Sequence, residues 1–123
     1  MRLLLDTHVL IWWDAGRTIS QEASNAIEEA DEVFVSSAVA WEVAIKSSLG
    51  KISSKRSVTD ATFESGFQEL SIAFAHAEQV RRLPSHHRDP FDRIMIAQAQ
   101  VEDLVIVSSD ATFAAYEIPL IVA

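Results

Sequence analysis

Short, largely apolar runs recur along the chain, and stretches with helical spacing separate them. The runs predict four strands and a fifth at the edge of the sheet, at residues 2–5, 33–35, 70–72, 104–107 and 120–122. Runs without polar alternation are typical of strands buried on both faces of a sheet. Because helices alternate with these strands, we predict an α/β fold, a three-layer α/β/α sandwich with a central, mostly parallel sheet of four to five strands.

The stretches between the strands carry helix signals at their ends. Ser and Asp residues stand at N-cap positions, and Gly50 and Pro84 are stop signals. The predicted helices cover residues 8–13, 20–30, 38–49, 59–68, 75–83, 90–101 and 111–116. We expect the helix over 38–49 to be largely buried, since Glu42 is the only polar residue from position 38 to 45. Residues 52–57 form a polar, basic connection.

Length and composition favour one domain with a genuine core. The chain has 123 residues, of which 49% are apolar, and we treat residues 1–123 as a single domain. It has no apolar run of about 18 residues, so we expect a soluble, cytoplasmic protein without a membrane partner. Because there are no cysteines, any metal must be held by oxygen or imidazole ligands. Carboxylate ligands would favour Mg²⁺ or Mn²⁺.

The net charge of −8 argues at first against a nucleic-acid partner. The charges are unevenly distributed, however. Residues 46–93 hold eight of the ten basic side chains against six acids, a balance of +2, which leaves −10 for the rest of the chain. Bound divalent ions would cancel part of the remaining negative charge, so the total charge does not exclude RNA as a partner.

Four carboxylates stand in or beside apolar runs, at Asp6, Glu42, Asp92 and Asp110. Each has an ordinary explanation. Asp6 and Asp110 follow strands and can serve as helix N-caps, and Asp92 falls at the third position of a helix. Glu42 can pair with Lys46 one turn later, although a buried glutamate needs more than one exposed lysine.

A shared site explains the four acids together. In parallel sheets, ligands bind outside the carboxyl ends of the strands, which is where Asp6 and Asp110 are expected. Carboxylates that meet in a cleft repel one another unless they are protonated or bind divalent cations. Bound ions can clamp a phosphodiester and activate a water molecule for attack. The pattern therefore predicts a metal-dependent nuclease site.

Four segments in this order resemble a known family. They are residues 3–8, residues 37–46, residues 87–99 (HRDPFDRIMIAQA) and residues 107–110. Together they are similar to the PIN-domain toxins of VapC type, and the resemblance covers essentially the whole chain. It implies a Mg²⁺- or Mn²⁺-dependent endoribonuclease that forms a homodimer and is held inactive by a cognate VapB-type antitoxin. It also implies that the four acids are the catalytic, metal-binding quartet, with Asp6 and Asp92 as the most direct ligands.

Several other residues have both structural and functional interpretations. Thr7 and Ser108 match small hydroxyl positions of the family and either orient the metal ligands or serve as plain helix caps. We interpret Asp89 as the cap of the helix that carries Asp92, because Asp-Pro at a helix start needs no metal to explain it. Arg88, together with Arg93 and Lys46 nearby, is a candidate for contacting RNA phosphates.

Neighbouring aromatic and imidazole residues favour structural roles. His86, His87 and Arg88 could form a phosphate-binding tip, or the two histidines a metal-binding pair. Adjacent histidines seldom point the same way, however, so a solvated loop is the preferred interpretation. Trp12, Trp13 and Trp41 could stack on bases, but at helical positions they favour a core or a dimer interface, with Trp12 or Trp13 as the preferred interface residue.

Two other classes of function stay open. The first is a catalytically idle protein-binding module that uses the same fold. The second is an aspartyl-phosphate-type phosphohydrolase with Asp6 as the nucleophile. Such enzymes need a second aspartate two residues on, where this chain has His8. A glycine-rich phosphate loop is excluded, since the chain has only three glycines.

Overall fold

The computed structural model describes residues 1–52 and 56–123. Its centre is a sheet of five strands in the order β3-β2-β1-β4-β5, with every neighbouring pair parallel. The strands are β1 (Arg2–Leu5), β2 (Glu32–Ser36), β3 (Gln68–Leu70), β4 (Val105–Ser108) and β5 (Leu120–Val122). Helices flank the sheet, which confirms the predicted α/β architecture.

Six α-helices and two short 3₁₀ helices connect the strands. The α-helices are α1 (Thr7–Asp14), α2 (Gln21–Glu29), α3 (Ser37–Ser48), α4 (Val58–Glu64), α5 (Phe74–Gln79) and α6 (Pro90–Glu102). The 3₁₀ helices are Val80–Arg82, directly after α5, and Ala111–Tyr116, between β4 and β5. Most predicted helices are confirmed within one or two residues. The predicted helices over 75–83 and 111–116 are present; the first ends in a 3₁₀ turn and the second is 3₁₀ throughout.

The segment around β3 departs most from the prediction. The helix expected over 59–68 ends at Glu64, and the chain turns at Gly66, whose φ is +77°. The strand expected at 70–72 lies two residues earlier, at Gln68–Leu70. The physical reason is that β3 is an edge strand, and its first two residues are polar and exposed. An apolar run therefore does not mark this strand.

The core lies where the central strands meet the helices. Leu3, Leu4 and Leu5 are fully buried, and so are Ile106 and Val107 of β4. The expectation that α3 is largely buried is wrong. Its buried face holds Ala38, Val39, Glu42 and Val43, whereas Trp41 is 60% exposed. Apolar residues on both faces of this helix made the exposed side indistinguishable by sequence.

The connection between α3 and α4 is described only in part. The predicted basic connection over 52–57 includes residues 53–55, which lie outside the described residues. Within the described part, the guanidinium of Arg56 donates to both carboxylate oxygens of Asp14 and to Glu64 Oε2. This pairing joins the end of α1 to α4. Among the described residues, no helix combines the length and the apolar character needed to cross a membrane.

Candidate active site

The site forms where the chain changes direction between neighbouring strands. From β1 the chain continues to β2 on one side of the sheet, and from β4 it continues to β5 on the other. The connections therefore diverge at the carboxyl ends of β1 and β4, which leaves a crevice of the kind that binds ligands in α/β sheets. Asp6 follows β1 at this point, and Asp110 follows β4.

Asp6 is buried and doubly hydrogen-bonded. It caps α1, with Oδ1 accepting from the Thr7 amide at 2.7 Å, and Oδ2 accepts from the hydroxyl of Ser108 at 2.7 Å. Burial raises the pKa of Asp6 above its usual value, although these hydrogen bonds and His8 lower it. The same Ser108 hydroxyl accepts from the Asp110 amide, so one side chain connects the two strand ends. Asp6 is thus both a helix cap and part of the cluster.

Glu42 projects from the buried face of α3 into the same region. Its Oε1 accepts from the Thr7 hydroxyl, and its Oε2 accepts from Lys46 Nζ at 2.7 Å. The carboxylate is 95% buried, and these two partners supply the compensation that a single exposed lysine cannot. Thr7 therefore does not act as the cap of α1; its hydroxyl orients Glu42.

Asp92 lies at the third position of α6. Asp89 caps this helix, accepting from the amides of Phe91 at 2.8 Å and Asp92 at 3.4 Å through Oδ1. This geometry confirms Asp89 as the cap that was predicted. The pKa of Asp92 is raised to about 7, first by burial and then by the charges of four neighbouring carboxylates. Those neighbours are Asp89, Asp6, Glu42 and Asp110.

Asp110 caps the 3₁₀ helix that follows β4. Its Oδ1 accepts from the amide and the hydroxyl of Thr112, at 3.0 and 2.6 Å. These hydrogen bonds keep the pKa of Asp110 below its usual value, so this carboxylate stays charged. Asp6, Glu42 and Asp110 thus all act electrostatically on Asp92 at one edge of the sheet. Glu42 also acts on Asp6.

For one residue of the cluster, His87, the preferred interpretation from sequence was a solvated loop. The side chain of His87 is 11% exposed, so His87 is not part of a solvated loop, and this interpretation is wrong. Its Nε2 lies 2.8 Å from Thr112 Oγ1 and 3.5 Å from Asp110 Oδ2, and its Nδ1 lies 3.1 Å from the Tyr116 hydroxyl. His86 is exposed, as expected. The sequence His86-His87 does not indicate which of the two imidazoles points inward.

The predicted RNA contacts differ in their availability. Arg88 is exposed beside the cluster. Arg93 instead donates to the backbone carbonyls of Pro84, His87 and Val80, at 2.9, 3.5 and 3.2 Å. These hydrogen bonds tie the guanidinium of Arg93 to the 80–88 segment. Arg93 is therefore less available than Arg88 to contact RNA phosphates. Lys46 is one-third exposed and pairs with Glu42, and Asp89 and Asp92 help to keep its pKa raised.

The three tryptophans differ in how far they are buried. Trp13 is partly buried and packs against the core and Phe67, with ring centroids 6.1 Å apart. Trp12 is half-buried beside His8. Trp41 is the exposed member, and it meets Phe91 edge to face at 5.2 Å.

The donor set fits a hard divalent cation. Crowded carboxylates with one pKa raised by the others create a demand for positive charge, and oxygen ligands suit Mg²⁺ and Mn²⁺. Among the described residues, His87, Asp92 and Asp110 each place a ligand atom within 4.8 Å of the other two. Asp6 and Glu42 add negative charge beside these three residues, since both act electrostatically on Asp92.

Comparisons with known proteins agree with this architecture. Three similar structures are a VapBC2 complex from Rickettsia felis bound to a promoter DNA fragment, a DNA-bound VapBC from Salmonella typhimurium and a toxin-antitoxin complex from Klebsiella pneumoniae. Their TM-scores are 0.72, 0.71 and 0.67, at 16%, 16% and 22% identity. The alignments cover 98%, 98% and 97% of this chain and 98%, 97% and 95% of those chains.

At these identities the structural matches establish the shared fold. No curated protein matches the sequence significantly. The profile of the PIN domain family matches residues 3–119, which run from β1 to the residue before β5 and include all four acids. The chain therefore belongs to the PIN domain family.

Proposed function

We propose that the protein is a divalent-metal-dependent endoribonuclease and the toxin of a VapBC-type toxin-antitoxin pair. The observation that carries this proposal is the position of Asp92, whose pKa is raised to about 7 by burial and by four surrounding carboxylates. A half-buried group of acids of this kind is costly to the fold and is relieved by a divalent cation. The family membership of the chain supports the same conclusion.

Asp6, Glu42, Asp92 and Asp110 would hold Mg²⁺ or Mn²⁺. When bound, such an ion neutralises phosphate charge and activates water for attack on a phosphodiester. The protein's own contribution is to position the ligands: Ser108 fixes the Asp6 carboxylate, and Thr7 fixes that of Glu42. Lys46 and Arg88 supply positive charge beside the acids, where the phosphates of an RNA strand would lie.

The partners follow from the same proposal. The similar structures are toxin-antitoxin complexes, which supports a VapB-type antitoxin as the inhibitor. We also infer a homodimer in the cytoplasm, with single-stranded regions of RNA as substrate, because their backbones are accessible to a shallow cleft.

Cleavage of RNA by the purified protein tests the function. We expect cleavage with Mg²⁺ or Mn²⁺, loss of cleavage in EDTA, and a fall of at least about 100-fold in Asp6→Asn and Asp92→Asn, the scale of losing a charged transition-state contact. Asp60→Asn is the matched control, since Asp60 is exposed and occupies the third position of α4 as Asp92 does in α6.

The outcomes separate the alternatives. Equal cleavage by the wild type and both site variants would exclude the proposed site. Absence of cleavage with either metal, together with intact antitoxin binding, would favour the idle binding module. Hydrolysis of phosphomonoesters with trapping of phosphate on Asp6 would favour the phosphohydrolase.

A further inference from the structure

The imidazole of His87 faces the acidic cluster from the segment before α6. Its Nε2 lies 3.5 Å from Asp110 Oδ2, and the ligand atoms of His87, Asp92 and Asp110 all lie within 4.8 Å of one another. Ligands around an ion at about 2.2 Å are separated by roughly 3 to 4.4 Å. A small closing movement would bring these three atoms to coordination distance.

The ring of His87 is held in place as metal-binding histidines are held. Nδ1, the nitrogen farther from the acids, pairs with the Tyr116 hydroxyl at 3.1 Å. The ring stacks on Tyr116 at a centroid distance of 5.3 Å and packs against Phe113 at 5.2 Å. Metal-ligating histidines usually have the second nitrogen hydrogen-bonded in this way, because the contact fixes the tautomer and the ring orientation.

Nε2 of His87, the ring nitrogen that faces the acids, already lies among oxygen atoms. The Thr112 hydroxyl donates to Asp110 Oδ1, so its oxygen is left to accept from His87 Nε2 at 2.8 Å. In the metal-free protein this places the Nε2 proton between Thr112 Oγ1 and Asp110 Oδ2. With a cation bound by Asp110, the ring would exchange its Nε2 proton for one on Nδ1 through solvent, and Nδ1 would then donate to the Tyr116 hydroxyl. The lone pair of Nε2 would point at the ion.

We propose that His87 is a nitrogen ligand of the divalent ion at this site and makes the site selective for Mn²⁺ over Mg²⁺. The proposal rests on the proposed function, since it adds one ligand to the same metal site. Imidazole is a good ligand for the softer transition metals, whereas Mg²⁺ takes oxygen ligands and keeps its waters. His87 thus distinguishes this centre from one built of carboxylates alone.

Binding of Mn²⁺ alone to the intact protein tests the assignment without activity as a readout. Electron spin echo envelope modulation detects ¹⁴N bonded directly to bound Mn²⁺. We expect this modulation in the wild type and its loss in His87→Gln. Titration should show a Kd for Mn²⁺ raised at least about 10-fold in His87→Gln, the usual cost of a lost ligand, with a change below about 3-fold for Mg²⁺. Circular dichroism verifies that the variant is folded.

The control variant is His86→Gln, which removes the adjacent, exposed imidazole. It should keep the ¹⁴N modulation and the affinity for Mn²⁺. Bound Mn²⁺ without ¹⁴N modulation in the wild type would overturn the assignment whether or not any variant folds. So would His87→Gln with unchanged Mn²⁺ affinity and a lowered melting temperature, because His87 would then only anchor the 3₁₀ helix.

The same experiment separates this assignment from the function on which it rests. Asp92→Asn should weaken both Mn²⁺ and Mg²⁺, whereas His87→Gln should weaken Mn²⁺ alone. Absence of the ¹⁴N signal in the wild type, together with acid-dependent binding of Mn²⁺, would contradict only the role of His87. A wild type that binds neither ion would contradict both.

Discussion

At the residue scale, the four acids combine a structural role with the proposed chemical one. Asp6 and Asp110 are helix caps, and their capping bonds use one oxygen of each side chain. Capping holds the carboxylates at fixed positions, and the second oxygen of Asp6 is fixed in turn by Ser108. The ordinary and the functional interpretations of these acids are therefore compatible, because the cap is what positions the ligand.

Asp92 should make the metal-free protein less stable at alkaline pH. Its folded-state pKa of about 7 exceeds the usual 3.8, so the folded protein keeps a proton that the unfolded chain releases. The stabilisation from this proton is present below about pH 4 and is lost as the pH rises through about 7. In EDTA at pH 8, Asp92→Asn should raise the free energy of unfolding by about 1 kcal/mol, because solvent screens part of the effect.

Urea unfolding at pH 5 and pH 8 checks this prediction. The difference between wild type and Asp92→Asn should shrink at pH 5, and Asp60→Asn should show no such dependence. A variant that is less stable than the wild type at pH 8 would mean that the carboxylates around Asp92 do not repel it.

Sequence reasoning favoured the acids as site residues but not the histidine, for a physical reason. Asp6 and Asp110 could be found because each follows a buried strand, and the carboxyl ends of parallel strands meet at one edge of the sheet. His87 has no such signal, since the residues that orient it, Thr112 and Tyr116, lie 25 and 29 positions away in the chain. Contacts across that separation are set by packing and leave no local pattern.

At the element scale, the strands with two buried faces were predictable and the edge strand was not. β1, β2 and β4 have both faces covered, and their buried positions are apolar except for Ser36 and Ser108 at the ends of β2 and β4. β3 has one neighbour, β2, and begins with Gln68 and Glu69. Hydrophobic residues indicate which positions are buried, not which strands are hydrogen-bonded to each other. The hydrophobic pattern therefore placed this strand two residues too late in the chain.

The start of α5 depends on a buried histidine. His76 is 2% exposed, and its Nδ1 accepts from the Ala73 amide at 2.9 Å, while Nε2 lies 2.9 Å from Glu102 of α6. Since Ala73 has no side chain that could cap the helix, His76 takes this role from within the first turn. His76→Ala should lower the free energy of unfolding by about 2–4 kcal/mol, through the lost cap and the cavity left behind.

Thermal unfolding measures this loss, with His86→Ala as the control, because His86 is exposed. The control should change stability by less than about 0.5 kcal/mol. If the two substitutions cost the same, His76 does not connect α5 to α6.

At the scale of the whole molecule, one apolar face remains on the surface. Trp41 of α3 and Phe91 of α6 line a groove of ≈ 460 Å³ with Ile72, Val80 and Ile94. The groove adjoins the acids, since α3 also carries Glu42 and α6 carries Asp92. We propose this face as an interface for the homodimer proposed above, as an alternative to the Trp12 or Trp13 interface expected from sequence.

Trp41→Lys should therefore weaken the dimer by at least about 100-fold in Kd, the effect of losing a central aromatic contact. Sedimentation equilibrium should find the wild type at twice the 13.6 kDa chain mass and the variant at that mass. Leu49→Lys is the control, because Leu49 is exposed on the end of the same helix and does not line the groove. A monomeric wild type at micromolar concentration would contradict the assignment.

The order of the strands also determines when the site can form during synthesis. β1 is made first and lies at the centre of the sheet, but its neighbour β4 is made only after more than 100 residues. Until then one edge of β1 is unpaired, and Asp6 lacks both Ser108 and Asp110. Before β4 is made, a nascent chain on the ribosome carries three of the four acids, but Asp110 and the β1–β4 pairing that brings the acids together are still absent. The proposed site can therefore assemble only after β4 has been synthesised.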